Sequence, residues 1–133
     1  MKFDDKYFSD FIFTKDQIKK NFDNATKDLK IAKQDTILEV KFTYAYSALI
    51  KGGIALASFY NKKVKSAPGH HIKIIETTAL ILKDTAIEAI GNAMRSKRNT
   101  DFYSGGIEVT KKESQEYLGF VNDVLHRVKE IIK

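Results

Sequence analysis

The sequence predicts an all-α protein, an up-and-down bundle of four to five helices. Three observations favour this class: apolar residues recur at helical spacing, no segment alternates as a half-buried strand does, and capping signals separate the helices. The 133 residues include one proline and no cysteine, and 43% are hydrophobic. This composition predicts one domain over residues 1–133, without disulfides or thiolate metal sites.

The N-terminal third predicts an aromatic segment and a first long helix. Residues 1–13 are rich in Phe and Tyr, which predicts an arm or short helix that packs on the bundle or on a second copy of it. Thr14 and Gln17 form a capping box that opens the first helix. The apolar stripe of this helix consists of Ile18, Phe22, Ala25, Leu29 and Ala32.

A second helix over residues 36–60 is the predicted centre of the bundle. Residues 45–59 are apolar nearly all round, which is typical of a buried helix. Gly52 and Gly53 lie inside it, and a glycine there costs about 1 kcal/mol relative to alanine. Because that cost needs a reason, we expect a close helix approach or a kink at this point.

Two further helices follow a predicted basic loop over residues 61–69. The Pro68-Gly69 turn leads into a helix from about His70 to Leu82. Its inward residues should be Ile72, Ile75, Ala79 and Leu82. The next helix begins at Asp84 or Thr85, and its predicted apolar face consists of Ile87, Ile90 and Met94.

The last helix begins after a glycine-containing break. Residues 104–106 end the preceding helix, and Thr110 with Glu113 forms another capping box. The predicted apolar stripe consists of Tyr117, Leu118, Val121, Val124, Leu125, Val128 and Ile131.

Arginine is rare in this chain, and two of its three arginines lie close together. Lysine accounts for 20 of the 23 basic residues, whereas Arg95 and Arg98 lie on consecutive helical turns. The planar guanidinium suits phosphate or carboxylate. Arg95, Asn99 and Tyr103 follow each other at intervals of four, so they line one helix face. This pattern predicts a polar site; the alternative is a solvated helix end whose cations favour the negative pole of the helix dipole.

The net charge of +6 suggests phosphate-bearing partners if the basic segments converge, and solubility if they do not. Lys62 and Lys63 form the second dense basic segment. The adjacent His70 and His71 point about 100° apart on a helix, so they do not readily chelate one ion. One should hydrogen-bond near the helix start while the other is exposed; the alternative is a base or phosphate contact at a groove edge.

Several classes of function are not favoured. The sequence contains no run of about 18 apolar residues, so no membrane span is predicted. It also lacks the layout of a signal peptide, so we expect a cytoplasmic protein. No glycine-rich phosphate loop precedes a helix. The nearest match to the Glu-x-x-His of di-iron bundles is Asp123 to His126, which has the wrong acid. The sequence therefore predicts no metal and no cofactor.

Taken together, these segments resemble the HEPN superfamily from about residue 14 to the end. The resemblance is carried by residues 44–53 of the central helix, by Pro68-Gly69-His70-His71, by Arg95 to Tyr103, and by a final helix after a glycine-containing turn. It implies a small helical bundle that is usually dimeric. Many members are metal-independent endoribonucleases of toxin–antitoxin or defence systems, and others accompany nucleotidyltransferase partners.

The family motif is an arginine, often followed by asparagine, and then a histidine after four to six residues. Arg98-Asn99 matches its first half, but Tyr103 holds the histidine position. A tyrosine is a weak base, because only about one part in a thousand is ionised at pH 7. The resemblance thus implies a homodimer with this region at the interface, with Arg98 and Tyr103 as candidate catalytic residues. The implied RNA or phosphate contacts are Arg95, Arg98, Asn99, His70, His71, Lys62 and Lys63.

Two alternatives to an RNA- or nucleotide-binding domain, or a degenerate nuclease, stay open. The chain could be a non-catalytic helical partner subunit of a nucleotidyltransferase-like protein, in which the aromatic segment and the apolar helix serve assembly. It could also be a bundle without a ligand, in which Arg95 and Arg98 only cap and solvate a helix.

Overall fold

A computed structural model describes residues 3–103 and 105–133, and within it the side chains of residues 101–103 are not described. The described chain forms five helices and a two-stranded antiparallel sheet, which confirms the predicted all-α bundle. The helices are α1 (Lys15–Gln34), α2 (Leu38–Phe59), α3 (His70–Leu82), α4 (Thr85–Tyr103) and α5 (Lys111–Ile132). None of the helices in the described part combines the length and apolar character that crossing a membrane requires.

Helix α2 is the centre of the bundle, as the sequence predicted. It contacts each of the other four helices. The predicted stripes of α1 and α5 face this core, and the residues buried there include Ala25, Leu29, Ala32, Val121, Val124, Leu125 and Val128. The start of α1 has the predicted capping box, in which the Gln17 amide donates to the Thr14 hydroxyl at 3.1 Å. Thr110 and Glu113 form the corresponding box at α5.

The glycine pair in α2 marks a close approach of helices, and α2 continues through it. A Cβ on Gly52 would collide with Leu125 of α5. A Cβ on Gly53 would collide with Ile74 and would lie 2.7 Å from the Thr78 hydroxyl of α3. The absence of side chains at these positions therefore lets α3 and α5 lie against the α2 backbone.

Helices α3 and α4 form a tight antiparallel hairpin that α5 holds in place. Their connection is short, and Lys83 within it has a left-handed backbone with φ of 55°. Arg127 of α5 donates to Asp84 at 2.8 Å and to the Leu82 carbonyl at 2.9 Å. The third arginine of the chain is thus structural, since it fixes the end of α3 and the start of α4 together.

The expectation of helices alone was wrong at the N-terminal segment. Strand β1 (Phe8–Asp10) pairs antiparallel with β2 (Lys62–Val64), in the segments predicted as an arm or short helix and as a loop. Strands of three residues are too short to show a period-two pattern in sequence. Phe8 is buried at 3% exposure, so the N-terminal segment packs on the bundle.

The inward face of α3 also differs from the prediction. Ile72 was expected inside but is exposed, whereas Ile74 and Thr78 are buried together with the expected Ile75 and Ala79. Thr78 is tolerated there because its hydroxyl donates to the Ile74 carbonyl at 2.7 Å. The buried face therefore includes a threonine that a purely apolar pattern does not identify.

The close approach at Gly53 predicts a specific effect of substitution on stability. Gly53→Ala should lower the free energy of unfolding by about 1–3 kcal/mol, because the added methyl overpacks the contact with α3. Gly119→Ala is the matched control, since Gly119 is an exposed helical glycine with open space around it. It should raise stability by about 0.5–1 kcal/mol. Urea unfolding followed by circular dichroism measures both; an equal effect of the two substitutions would contradict the packing account.

Candidate anion-binding site

A cavity of about 280 Å³ lies between the N-terminus of α3 and the C-terminal half of α4. Its lining consists of Gly69, His70, His71, Ile72, Arg95, Arg98 and Asn99. The structure therefore brings together five of the residues singled out in the sequence, which come from two separate segments. Among the described residues, none that line the cavity is acidic.

At the N-terminus of α3 the His70 backbone amide donates to the Ala67 carbonyl at 3.1 Å, and the amides of His71 and Ile72 that follow have no side-chain cap. Gly69 is the N-cap residue, with a left-handed φ of 81°, and it has no side chain to accept from these amides. Uncapped amides at a helix start carry partial positive charge. This end of α3 therefore adds electrostatic attraction for an anion to that of the nearby arginines.

His71 is bound to a buried tyrosine beneath the cavity. The hydroxyl of Tyr46, on α2, lies 2.9 Å from Nδ1 of His71. Tyr46 is only 2% exposed. The Arg98 guanidinium carbon lies 5.5 Å from the centre of the Tyr46 ring, which is within cation–π distance. One buried side chain thus contacts polar groups from both α3 and α4.

Both members of this hydrogen bond are neutral at physiological pH, and burial moves both of their pKa values further from it. Burial raises the pKa of Tyr46 to about 12, an effect that the positive charges of Arg98 and Arg95 oppose. It also lowers the pKa of His71 to about 4, with further lowering by the positive charges of His70, Arg98 and Arg95. The arginines therefore act electrostatically on the same two groups, as expected for one compact site.

Neither cavity arginine has a carboxylate partner within the described residues. Arg98 is exposed, and its one side-chain hydrogen bond to a described residue is a long one, 3.5 Å, to the Asn99 side chain. Arg95 is half-buried, and its Nε is buried without a hydrogen-bond partner. Removing a cation from water is unfavourable unless an anion compensates it. This argument applies to the half-buried Arg95, and the exposed Arg98 adds a second positive charge at the same cavity; together they favour a bound anion.

His70 contacts the turn before α3. Its Nδ1 lies 2.9 Å from the Ala67 carbonyl, so the ring hydrogen-bonds near the helix start as expected. The rings of His70 and His71 are 4.6 Å apart, and both residues are half-buried. The expectation that one histidine would be exposed was therefore wrong, because Tyr46 draws His71 towards the core.

Two other predicted residues, Lys62 and Lys63, lie away from the cavity, and a third, Tyr103, has a side chain that the structure does not describe. Lys62 and Lys63 are not among its lining residues: Lys62 lies on β2, 2.5 Å from Asp10, and the Lys63 ammonium lies 5.4 Å from the Phe11 ring centre. Helix α4 extends to Tyr103, but the side chain of this candidate catalytic residue lies outside the described part of the chain.

Sequence reasoning did not single out Tyr46 as a site residue. A signal was present, because a tyrosine hydroxyl inside an otherwise apolar helix needs a hydrogen-bond partner. The sequence alone did not identify that partner, since His71 lies 25 residues away.

Comparison of the chain with protein-family models, with curated proteins and with solved structures finds no match. The resemblance to the HEPN superfamily therefore stays a prediction from the sequence. Within the described residues, no cluster of three or more His, Asp and Glu side chains could hold a metal ion.

The low pKa of His71 predicts a loss of stability in acid. Unfolded histidine has a pKa near 6.5, whereas the value for His71 in the fold is about 4. Between these values the unfolded state binds a proton that the folded state excludes, so the free energy of unfolding should fall as the pH falls.

Urea unfolding between pH 7 and pH 4.5 tests this with two glutamine variants. His71→Gln should lose less stability than the wild type over this interval. His126→Gln removes an exposed histidine of α5 and should follow the wild type. Identical pH dependence of wild type and His71→Gln would show that burial does not depress the His71 pKa.

Proposed function

We propose that this chain binds a phosphate group of RNA or of a nucleotide in the cavity between α3 and α4. The observation that carries the proposal is the convergence of Arg95 and Arg98 on the N-terminus of α3, which has no side-chain cap. Neither arginine has a carboxylate partner among the residues that the structure describes. Guanidinium forks and backbone amides all donate hydrogen bonds, and phosphate oxygens only accept them.

The charge distribution agrees with a polyanionic ligand. The chain carries a net charge of +6, which favours encounter with nucleic acid. The exposed Asn99 on the cavity wall adds an amide that can contact sugar or base. Together with the resemblance to the HEPN superfamily, these features favour RNA or a nucleotide over a simple carboxylate, in a protein that acts in the cytoplasm.

Substitution of Arg98 tests the proposal directly. Arg98→Ala should weaken binding of a fluorescein-labelled single-stranded RNA oligonucleotide at least about tenfold, as expected for a charge-assisted contact to phosphate. The slope of log affinity against log salt should fall by about 0.7, because one phosphate contact is lost. Fluorescence anisotropy at several salt concentrations measures both quantities.

Lys27→Ala is the control for loss of one positive charge. Lys27 is exposed on α1 and is not part of the cavity lining. It should leave RNA affinity within about twofold of the wild type. Equal affinities of wild type and Arg98→Ala would disprove phosphate binding in this cavity.

Cleavage of RNA is tested separately from binding, with the same wild-type and Arg98→Ala proteins. Arg98 could stabilise charge at a reacting phosphate. His71 is neutral near pH 7, because its pKa is about 4. We expect binding as the main activity, with any cleavage metal-independent and dependent on Arg98. Incubation of RNA with wild type and Arg98→Ala in EDTA decides; equal cleavage by both would exclude a catalytic role of Arg98.

The exposed apolar residues of α3 favour an assembly role beside ligand binding. Ile72 is 37% exposed at the cavity, and Leu80 is 59% exposed further along the helix. A second copy of the chain would cover them in the homodimer that we propose. The alternative is a non-catalytic partner subunit of a nucleotidyltransferase-like protein. Sedimentation equilibrium tests the homodimer, since a monomeric protein would contradict it.

A further inference from the structure

The hydrogen bond between Tyr46 and His71 has a defined direction. The Tyr46 hydroxyl is buried, and its one hydrogen bond within the described residues is to Nδ1 of His71. If Nδ1 carried the proton and donated to the phenol oxygen, the phenol proton would be left buried without an acceptor. Buried donors are almost always paired. Tyr46 therefore donates, and Nδ1 accepts.

This direction determines which nitrogen of His71 carries the proton. A neutral imidazole has one N–H, so a ring that accepts at Nδ1 is protonated at Nε2. Nε2 makes no hydrogen bond within the described residues, and it is not one of their buried unpartnered atoms. Because His71 lines the cavity, Nε2–H is available there as a donor.

His70 has the opposite arrangement. Its Nδ1 contacts the Ala67 carbonyl at 2.9 Å, and a carbonyl oxygen only accepts. Nδ1 of His70 therefore carries a proton, and in the neutral ring Nε2 has the free lone pair. Two adjacent histidines of the cavity thus offer different groups, an acceptor from His70 and a donor from His71.

We propose that Tyr46 is a positioning residue, whose hydroxyl holds His71 as the Nε2–H tautomer and whose ring holds the Arg98 guanidinium, so that both groups donate into the cavity. The role in binding rests on the proposed function; the tautomer itself does not. His71 acts on a bound phosphate oxygen as a hydrogen-bond donor, and it does not accept a proton through Nε2 at neutral pH.

The tautomers are measured in the protein without ligand. Nitrogen-15 NMR of histidine-labelled protein at pH 7 should show His71 protonated at Nε2 and His70 protonated at Nδ1. Tyr46→Phe keeps the ring and removes the hydroxyl, so the His71 signals should shift towards a mixture of both tautomers. Tyr44→Phe removes a hydroxyl two residues away on α2, from a tyrosine without a hydrogen bond within the described residues, and should leave both histidines unchanged.

RNA binding then separates the hydroxyl from the ring. Tyr46→Phe should weaken binding of the labelled RNA about three- to tenfold, as expected for a hydrogen-bonding contribution. Tyr46→Leu, confirmed as folded by circular dichroism, should weaken it further, because Arg98 then also loses its aromatic contact. Tyr44→Phe should bind as the wild type does.

The outcomes distinguish this inference from the proposed function. His71 protonated at Nδ1 in the wild type, or unchanged tautomers in Tyr46→Phe, would overturn the positioning role. Wild-type affinity of Tyr46→Phe combined with weak binding by Arg98→Ala would overturn it while leaving phosphate binding intact. Wild-type affinity of Arg98→Ala would remove the proposed function, and the tautomer assignment would then stand on the NMR result alone.

Discussion

The close contact between α2 and α3 at Gly53 is the constraint on which the candidate site depends. Gly53 meets Ile74, which lies one turn after His71 on α3. Tyr46 lies two turns before Gly53 on α2, so both face α3. The approach that Gly53 permits therefore also brings the Tyr46 hydroxyl within 2.9 Å of His71. A larger residue at position 53 would move α3 outward and lengthen that hydrogen bond.

The hairpin of α3 and α4 supplies the second half of the site. His71 and Arg95 are equally far in sequence from the turn at Lys83, so antiparallel packing brings them to the same height. Arg127 fixes this turn by binding Asp84 and the Leu82 carbonyl. The three arginines thus divide into one that shapes the hairpin and two that face the cavity. Arg127 lies beside the turn, whereas Arg95 and Arg98 lie at the other end of the hairpin, and this difference in position separates their roles.

Much of the helical framework could be predicted from the sequence, because its signals are local. The structure agrees with the predicted capping boxes, with the 3.6-residue period and with the predicted helix from His70 to Leu82. The Gly52-Gly53 pair also marked the close packing correctly. The two short strands could not be predicted, since their pairing joins Phe8 to Val64 across the two intervening helices α1 and α2. The exposure of Ile72 depends on how α3 rotates against α2 and α4, which its own pattern does not determine.

The candidate site was predictable only in part, because residue chemistry is visible in the sequence but tertiary packing is not. Residue chemistry pointed to Arg95, Arg98 and the histidines, and a short α3–α4 connection could have indicated that they meet. The role of Tyr46 depends on tertiary packing of α2 and was not visible from spacing. The absence of Lys62 from the cavity lining likewise follows from strand pairing, which places it beside Asp10.

The proposed function requires that α3 and α4 form one preassembled site for an oxyanion. Titration of nitrogen-15-labelled protein with inorganic phosphate, and then with a short RNA oligonucleotide, tests it most directly through the backbone amide shifts. We expect saturable shifts that are largest at Gly69 to Ile72 and at Arg95 to Asn99, at the same amides for both ligands. Shifts that instead centre on Lys62 and Lys63, or that spread over surface lysines without saturating, would contradict it.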